Sequence, residues 1–159
     1  MSDLLRVGSF RVDRSRALEK LMNFQLPDPT FFPLPLVRCA VASGATRLLL
    51  RFSGREVVME FVGKPFSADE LRDPYSCLLE ERGSELRRNR ELATALLTAL
   101  RLSPNSITVD SGEGPARVRL TVLSLREESV ASLPGEENVT RVLVRLPFMS
   151  LAVDFPMMQ

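Results

Sequence analysis

Few side chains in this sequence could move protons, bind metals or attack electrophiles. There is no histidine among the 159 residues. That removes Ser-His-Asp triads, Cys-His pairs, histidine phosphotransfer on this chain and His-ligated zinc. The two cysteines, Cys39 and Cys77, are too few for a structural zinc site. Cys39 falls on the apolar face of a predicted helix and reads as a small buried hydrophobe. Arginine outnumbers lysine 19 to 2. Because the arginines are scattered, coding bias explains the excess better than selection for bidentate anion contacts does. The densest group, Arg87, Arg88 and Arg90, offers charge to a phosphate, but the simpler expectation is a solvated helix face. Ser67 to Glu70 reads S-x-x-E, a capping box in which serine and glutamate each satisfy a free backbone donor.

Composition limits the rest. The length fits one domain with a real core. Apolar residues make up 45% and charged residues 26%, as is ordinary in a soluble globular protein. A net charge of +1 predicts neither nucleic acid nor an anionic membrane as partner. One tyrosine, Tyr75, and no tryptophan leave little to stack on bases. No apolar run is long enough to span a bilayer. The first residues lack the basic head and apolar stretch of a secretory signal, so the expected location is cytoplasmic.

The elements that must position these residues follow from periodicity. Gly8 to Val12 suits a short edge strand, and Asp13 then caps a helix with Leu18, Leu21 and Met22 on one stripe. Pro27 and Pro29 end it in a loop. A second helix should begin near Pro35 and stop at Gly44. Leu48 to Leu50 is a continuous apolar run, the pattern of a strand buried on both faces. Val57, Met59 and Phe61 alternate with Val58 and Glu60, the pattern of a half-buried strand. After the capped short helix comes a longer one near Glu85 to Arg101. It has Leu86, Ala93, Leu96, Leu97 and Leu100 on one face and Arg87, Arg88 and Glu91 off it. The segments ITVDS and RVRLTVLSL make a hairpin, Arg126 to Glu137 an acidic loop, and VTRVLVRL a last strand. This order predicts an α+β fold: a two-layer α/β sandwich, mostly antiparallel, with helices on one face. Residues 1–147 should form one domain. The apolar tail 148–159, FMSLAVDFPMMQ, is an edge strand, a partner site or the start of a further domain.

The stretch from Pro35 to Leu71 resembles the ATP-binding half of the GHKL superfamily, which includes gyrase B, the ninety-kilodalton heat-shock chaperones and histidine kinases. PLVRCAVASGA stands where the family has E-L-x-x-N-A-x-D-A-G-A. The hairpin TRLLLRF–REVVMEF follows, and VGKPF stands near the family's D-x-G-x-G. FRVDRSRALEKLMNFQLPDP is similar to the lead-in helix of bacterial chaperone-like members. RNRELATALLTALRLSPNSITVDS resembles a later chaperone segment, and VTRVLVRL the closing G-T-x-V strand. The resemblance covers about three quarters of the chain, and it too implies a two-layer sandwich. The family's chemistry is missing. The glutamate that polarises water matches Pro35, and the magnesium-binding asparagine matches Cys39. The adenine-reading aspartate matches Phe61 or Val62; Glu60 is the nearest acid and points away if Phe61 faces the pocket. Gly63 keeps the first glycine, Pro65 replaces the second, and Thr140 alone survives of the G-T pair.

The expectation is therefore a degenerate GHKL-type domain without ATP hydrolysis, catalytic residues, cofactor or metal. Cys39, Phe61, Val62, Gly63 and Thr140 mark the old pocket, and the chain acts as a protein-binding or regulatory module. A protein partner would meet Phe148 to Met158, and a homodimer is compatible with this. The alternatives are a weak ATP- or ADP-binding chaperone-like domain and a small dimeric effector chaperone.

Overall fold

The computed structural model describes residues 15–23, 26–79 and 86–148. Residues 15–23 are helical (α1). There follow α2 (Pro33–Ala42), β1 (Leu48–Ser53), β2 (Glu56–Phe61), α3 (Ala68–Arg72) and α4 (Arg87–Leu100). The chain then runs through β3 (Ser106–Ser111), β4 (Val118–Ser124), β5 (Glu127–Ser132) and β6 (Thr140–Arg145). The proposed strand at Gly8–Val12, the Asp13 cap and residues 149–159 of the tail lie outside the described residues.

Among the described residues the strands form one six-stranded sheet in the order β1-β2-β6-β3-β4-β5, and every neighbouring pair is antiparallel. Strand alternation sorts side chains onto two faces. Val57, Met59 and Phe61 of β2 share one face with Val142 and Val144 of β6, and with Ile107, Val109, Leu120 and Val122. All nine are buried. They meet Leu36, Cys39 and Ala40 of α2 and Leu92, Ala93, Leu96 and Leu97 of α4 in one core. α2 packs along α4, and α3 reaches β4 and β5. The protein is a two-layer α/β sandwich with its core between helices and sheet. The opposite face carries ion pairs: Arg141 with Glu60 at 2.9 Å, Arg145 with Glu56 at 3.2 Å, and Arg119 with Asp110 at 2.6 Å. No helix among the described residues is long and apolar enough to cross a membrane.

Four local readings differ from expectation. α2 begins at Pro33, not Pro35. Both prolines sit in the first turn, where backbone N–H groups have no intrahelical acceptor to lose. The segment read as an acidic loop contains β5, an edge strand in which only Val130 packs against the core, so no hydrophobic period marks it. Among the described residues β1 is also an edge strand: Leu48 and Leu49 are 38% and 46% exposed, and its apolar run does not mean burial on both faces. α4 buries a wider arc than a single stripe, including Leu92, Ala95 and Ala99, because it packs along α2 and shares one core with the sheet.

The end of α2 fixes the chain that follows β2. Gly44 adopts φ +83°, the left-handed region that favours glycine. Its N–H donates to Val41 O at 3.0 Å and the Ala45 N–H donates to Ala40 O at 3.0 Å, a Schellman stop. The carbonyl of Ser43 is thereby left to accept the Lys64 N–H at 2.8 Å. Gly63 presses so closely there that a Cβ would lie 2.5 Å from that oxygen. Gly63→Ala is expected to destabilise the fold by roughly 1–3 kcal/mol through overpacking, read from urea unfolding. An unchanged midpoint would mean that residues 63 and 64 are not seated on α2.

Candidate functional site

The capping box opens α3 as the sequence indicates. Glu70 N–H donates to Ser67 Oγ at 3.2 Å, and Ser67 N–H donates to Glu70 Oε1 at 3.1 Å. Glu70 then does more than cap. Its carboxylate accepts from Arg88 Nη2 at 2.9 Å and from Asn89 Nδ2 at 2.7 Å, across from α3 to the first turn of α4.

Arg88 contradicts the expectation of a solvated arginine face, because its side chain is only 7% exposed. Its Nη1 donates to Lys64 O at 3.1 Å and its Nη2 to Pro65 O at 3.2 Å. Its guanidinium lies over the Phe66 ring, 4.2 Å from the centroid. Burial of this cation is compensated by one carboxylate, two carbonyls and one ring. Phe66 is in turn 1% exposed, and its N–H donates to Ser111 Oγ at 2.8 Å. Ser111 Oγ and Thr140 Oγ1 share a further buried hydrogen bond of 2.8 Å. The backbone from Gly63 to Ser67 is thus held by Ser43, by the Ser111–Thr140 hydroxyl pair and by Arg88.

Of the five predicted pocket residues, Cys39, Phe61 and Thr140 are buried on the helix side of the sheet, and Gly63 closes on the end of α2. Phe61 and Thr140 are register partners on adjacent strands. Burial pushes the Cys39 thiol up to about 12, so it stays protonated and is no nucleophile at neutral pH. Val62 departs from the group. It is 58% exposed and lines a hollow of about 430 Å³ at the open end of the β1–β2 hairpin, with Leu49, Glu60 and Val139. The choice between Phe61 and Val62 for the inward position therefore falls on Phe61. Glu60 lies on the opposite face, paired with Arg141 and Arg51. Pro35 is buried in the first turn of α2. Sequence reasoning missed Ser111 and read Arg88 as solvent-facing, whereas the capping box gave Glu70 a readable signal. Phe148 is 80% exposed, with the Arg55 guanidinium 5.8 Å from its ring centroid.

The ensemble is a locked polar and aromatic wedge. Among the described residues no three His, Cys, Asp or Glu side chains come together as a metal site would require. No protein-family model matches the chain, and a search of curated proteins finds no matching relative.

The wedge has measurable weight. Arg88→Met is expected to cost roughly 2–3 kcal/mol of stability, below the usual range for a broken buried pair because Glu70 keeps some contact with water. Chemical denaturation of the two proteins checks this. Burial alone would raise the Glu70 carboxyl, but the hydrogen bonds from Asn89 and Ser67 and the Arg88 charge together hold it below its ordinary 4.5. A depressed carboxyl contributes stability above its unfolded value and loses it as pH falls through the folded value. The stability difference between wild type and Glu70→Gln should therefore be constant above about pH 5 and shrink as the pH drops below 4.5. A difference independent of pH across that window would contradict the assignment.

Proposed function

We propose that this chain is a degenerate GHKL-type domain that has given up nucleotide chemistry and serves in the cytoplasm as a protein-binding or regulatory module. The observation that carries the reading is the wedge. The segment matching the family's glycine motif, Gly63 to Phe66, is packed down by Arg88 and the Ser111–Thr140 pair. The element order supports the resemblance: a helix, a hairpin, a long helix, a strand and a closing strand follow one another. The closing strand β6 lies between β2 and β3, which brings Thr140 beside Phe61.

The positions that match the family's acids and amide have lost their chemistry. Pro35 offers no base to polarise water, and the protonated Cys39 thiol is a poor magnesium ligand. Phe61 gives an adenine amino group no acceptor, which leaves a buried donor unpaired at a cost of about 1–3 kcal/mol. The arginine that would most readily meet a phosphate, Arg88, is committed to Glu70 and two carbonyls. What remains useful is a rigid scaffold with surfaces for another protein.

A ligand that binds only the folded state raises the melting temperature by mass action. Millimolar ATP or ADP, with or without magnesium, is expected to leave the melting temperature of this protein unchanged. A clear rise with either nucleotide would overturn the proposal in favour of a nucleotide-binding domain.

A further inference from the structure

Arg117 is buried like Arg88 but compensated differently. It is 4% exposed, and among the described residues no carboxylate lies within ion-pair distance of it. Its Nη1 donates instead to three carbonyls: Gly112 O at 3.0 Å, Glu137 O at 2.9 Å and Val139 O at 2.7 Å. A buried cation without an anion is costly, although its charge strengthens each hydrogen bond it makes.

These bonds hold one end of the sheet together. The backbone ladder between β3 and β6 stops at Asp110 and Arg141. One step further in the same register, Ser111 stands opposite Thr140, and then Gly112 opposite Val139. The first pair is joined by its hydroxyls at 2.8 Å, and the second by Arg117, which donates to both carbonyls. The chain is shaped to bring the arginine there. Gly112 leaves β3 with φ +101°, and a Cβ on it would lie 2.8 Å from Ala116 O and 2.9 Å from Arg117 Cα. The Leu133 N–H donates to Arg117 O at 2.9 Å, which ties the chain between β5 and β6 to the same residue.

We propose that Arg117 is a clasp for the wedge: a positioning residue that aligns Ser111 with Thr140 and, through Ser111, keeps Phe66 seated. Ser111 Oγ serves both the Phe66 N–H and the Thr140 hydroxyl. When the ends of β3 and β6 part, the hydroxyl pair is lost, and Ser111 can rotate away from Phe66. Loss of the clasp therefore opens Phe66 without opening the sheet, because the ladders of β6 with β2 and β3 do not run through Arg117. Its effect on Phe66 must also pass through Ser111. The clasp does not depend on the nucleotide reading.

Native-state hydrogen exchange on the full chain tests both consequences. In wild type the Phe66 amide should exchange no faster than the Met59 amide of β2. In Arg117→Met it should exchange roughly tenfold or more faster than Met59, through a local opening insensitive to low denaturant. Arg117→Gln should show the same split, and it serves if Arg117→Met does not fold. Ser111→Ala should release Phe66 as well, and adding Arg117→Met to it should change the ratio of Phe66 to Met59 exchange by less than about twofold. Phe66 and Met59 amides that stay together in the Arg117 variants overturn the proposal, however far overall stability falls, because Arg117 is then only part of the core. Effects that multiply in the double variant overturn it too, because the arginine then acts by a route that bypasses Ser111.

Discussion

Arg88 is a cation placed where water hardly reaches, and the chain from Lys64 to Glu70 is arranged around the need to compensate it. A guanidinium has five donors and no acceptor, so burying it requires several oxygens at fixed geometry. Glu70 supplies a carboxylate from α3, Lys64 and Pro65 supply carbonyls, and the Phe66 ring covers the flat face. Each of these groups is constrained in turn. Glu70 is fixed by the capping box and Asn89, Phe66 by Ser111, and Lys64 by Ser43. Removing any one leaves a neighbour unsatisfied, and that explains why a five-residue helix and irregular chain can be as well seated as the core.

The consequence for function runs through space and not through sequence. The helix side of β2, β6 and β3 is filled from above by α2, α4 and the wedge. Arg88, Glu70 and Ser111 all bond to the protein itself. On the proposed reading, a pocket has become a core, and what the domain offers to others lies at its surface, including the ion-paired outer face and the exposed Phe148.

The sheet was legible where one face is buried and the other wet. Val57, Met59 and Phe61 alternate in sequence because they alternate between core and solvent. The capping box was legible because both partners sit within one turn. Arg88 was not, because it stands between Arg87 and Arg90, and helical periodicity treats all three as solvent-facing. Its partners are 18 to 24 residues away in sequence, and only folding brings them close. The edge strands failed in opposite directions. β5 has almost no apolar pattern because little of it touches the core. β1 has an apolar pattern without burial, since an apolar run records what a strand avoids in water and not what has covered it. Ser111 reads as an ordinary strand polar residue, and its hydrogen bond with Thr140, which the resemblance did mark, depends on a register between β3 and β6 that no local signal specifies.

The central claim is that the wedge is a fixed part of the core and not a lid. Native-state hydrogen exchange of the Phe66 amide tests it most directly, because that N–H donates to the buried Ser111 hydroxyl at 2.8 Å. This amide should exchange only through global unfolding, as slowly as amides in β3 and β6, and at the same rate with and without ATP. Exchange through a low-energy local opening, or protection that changes with nucleotide, would show that the wedge moves and that a pocket lies beneath it.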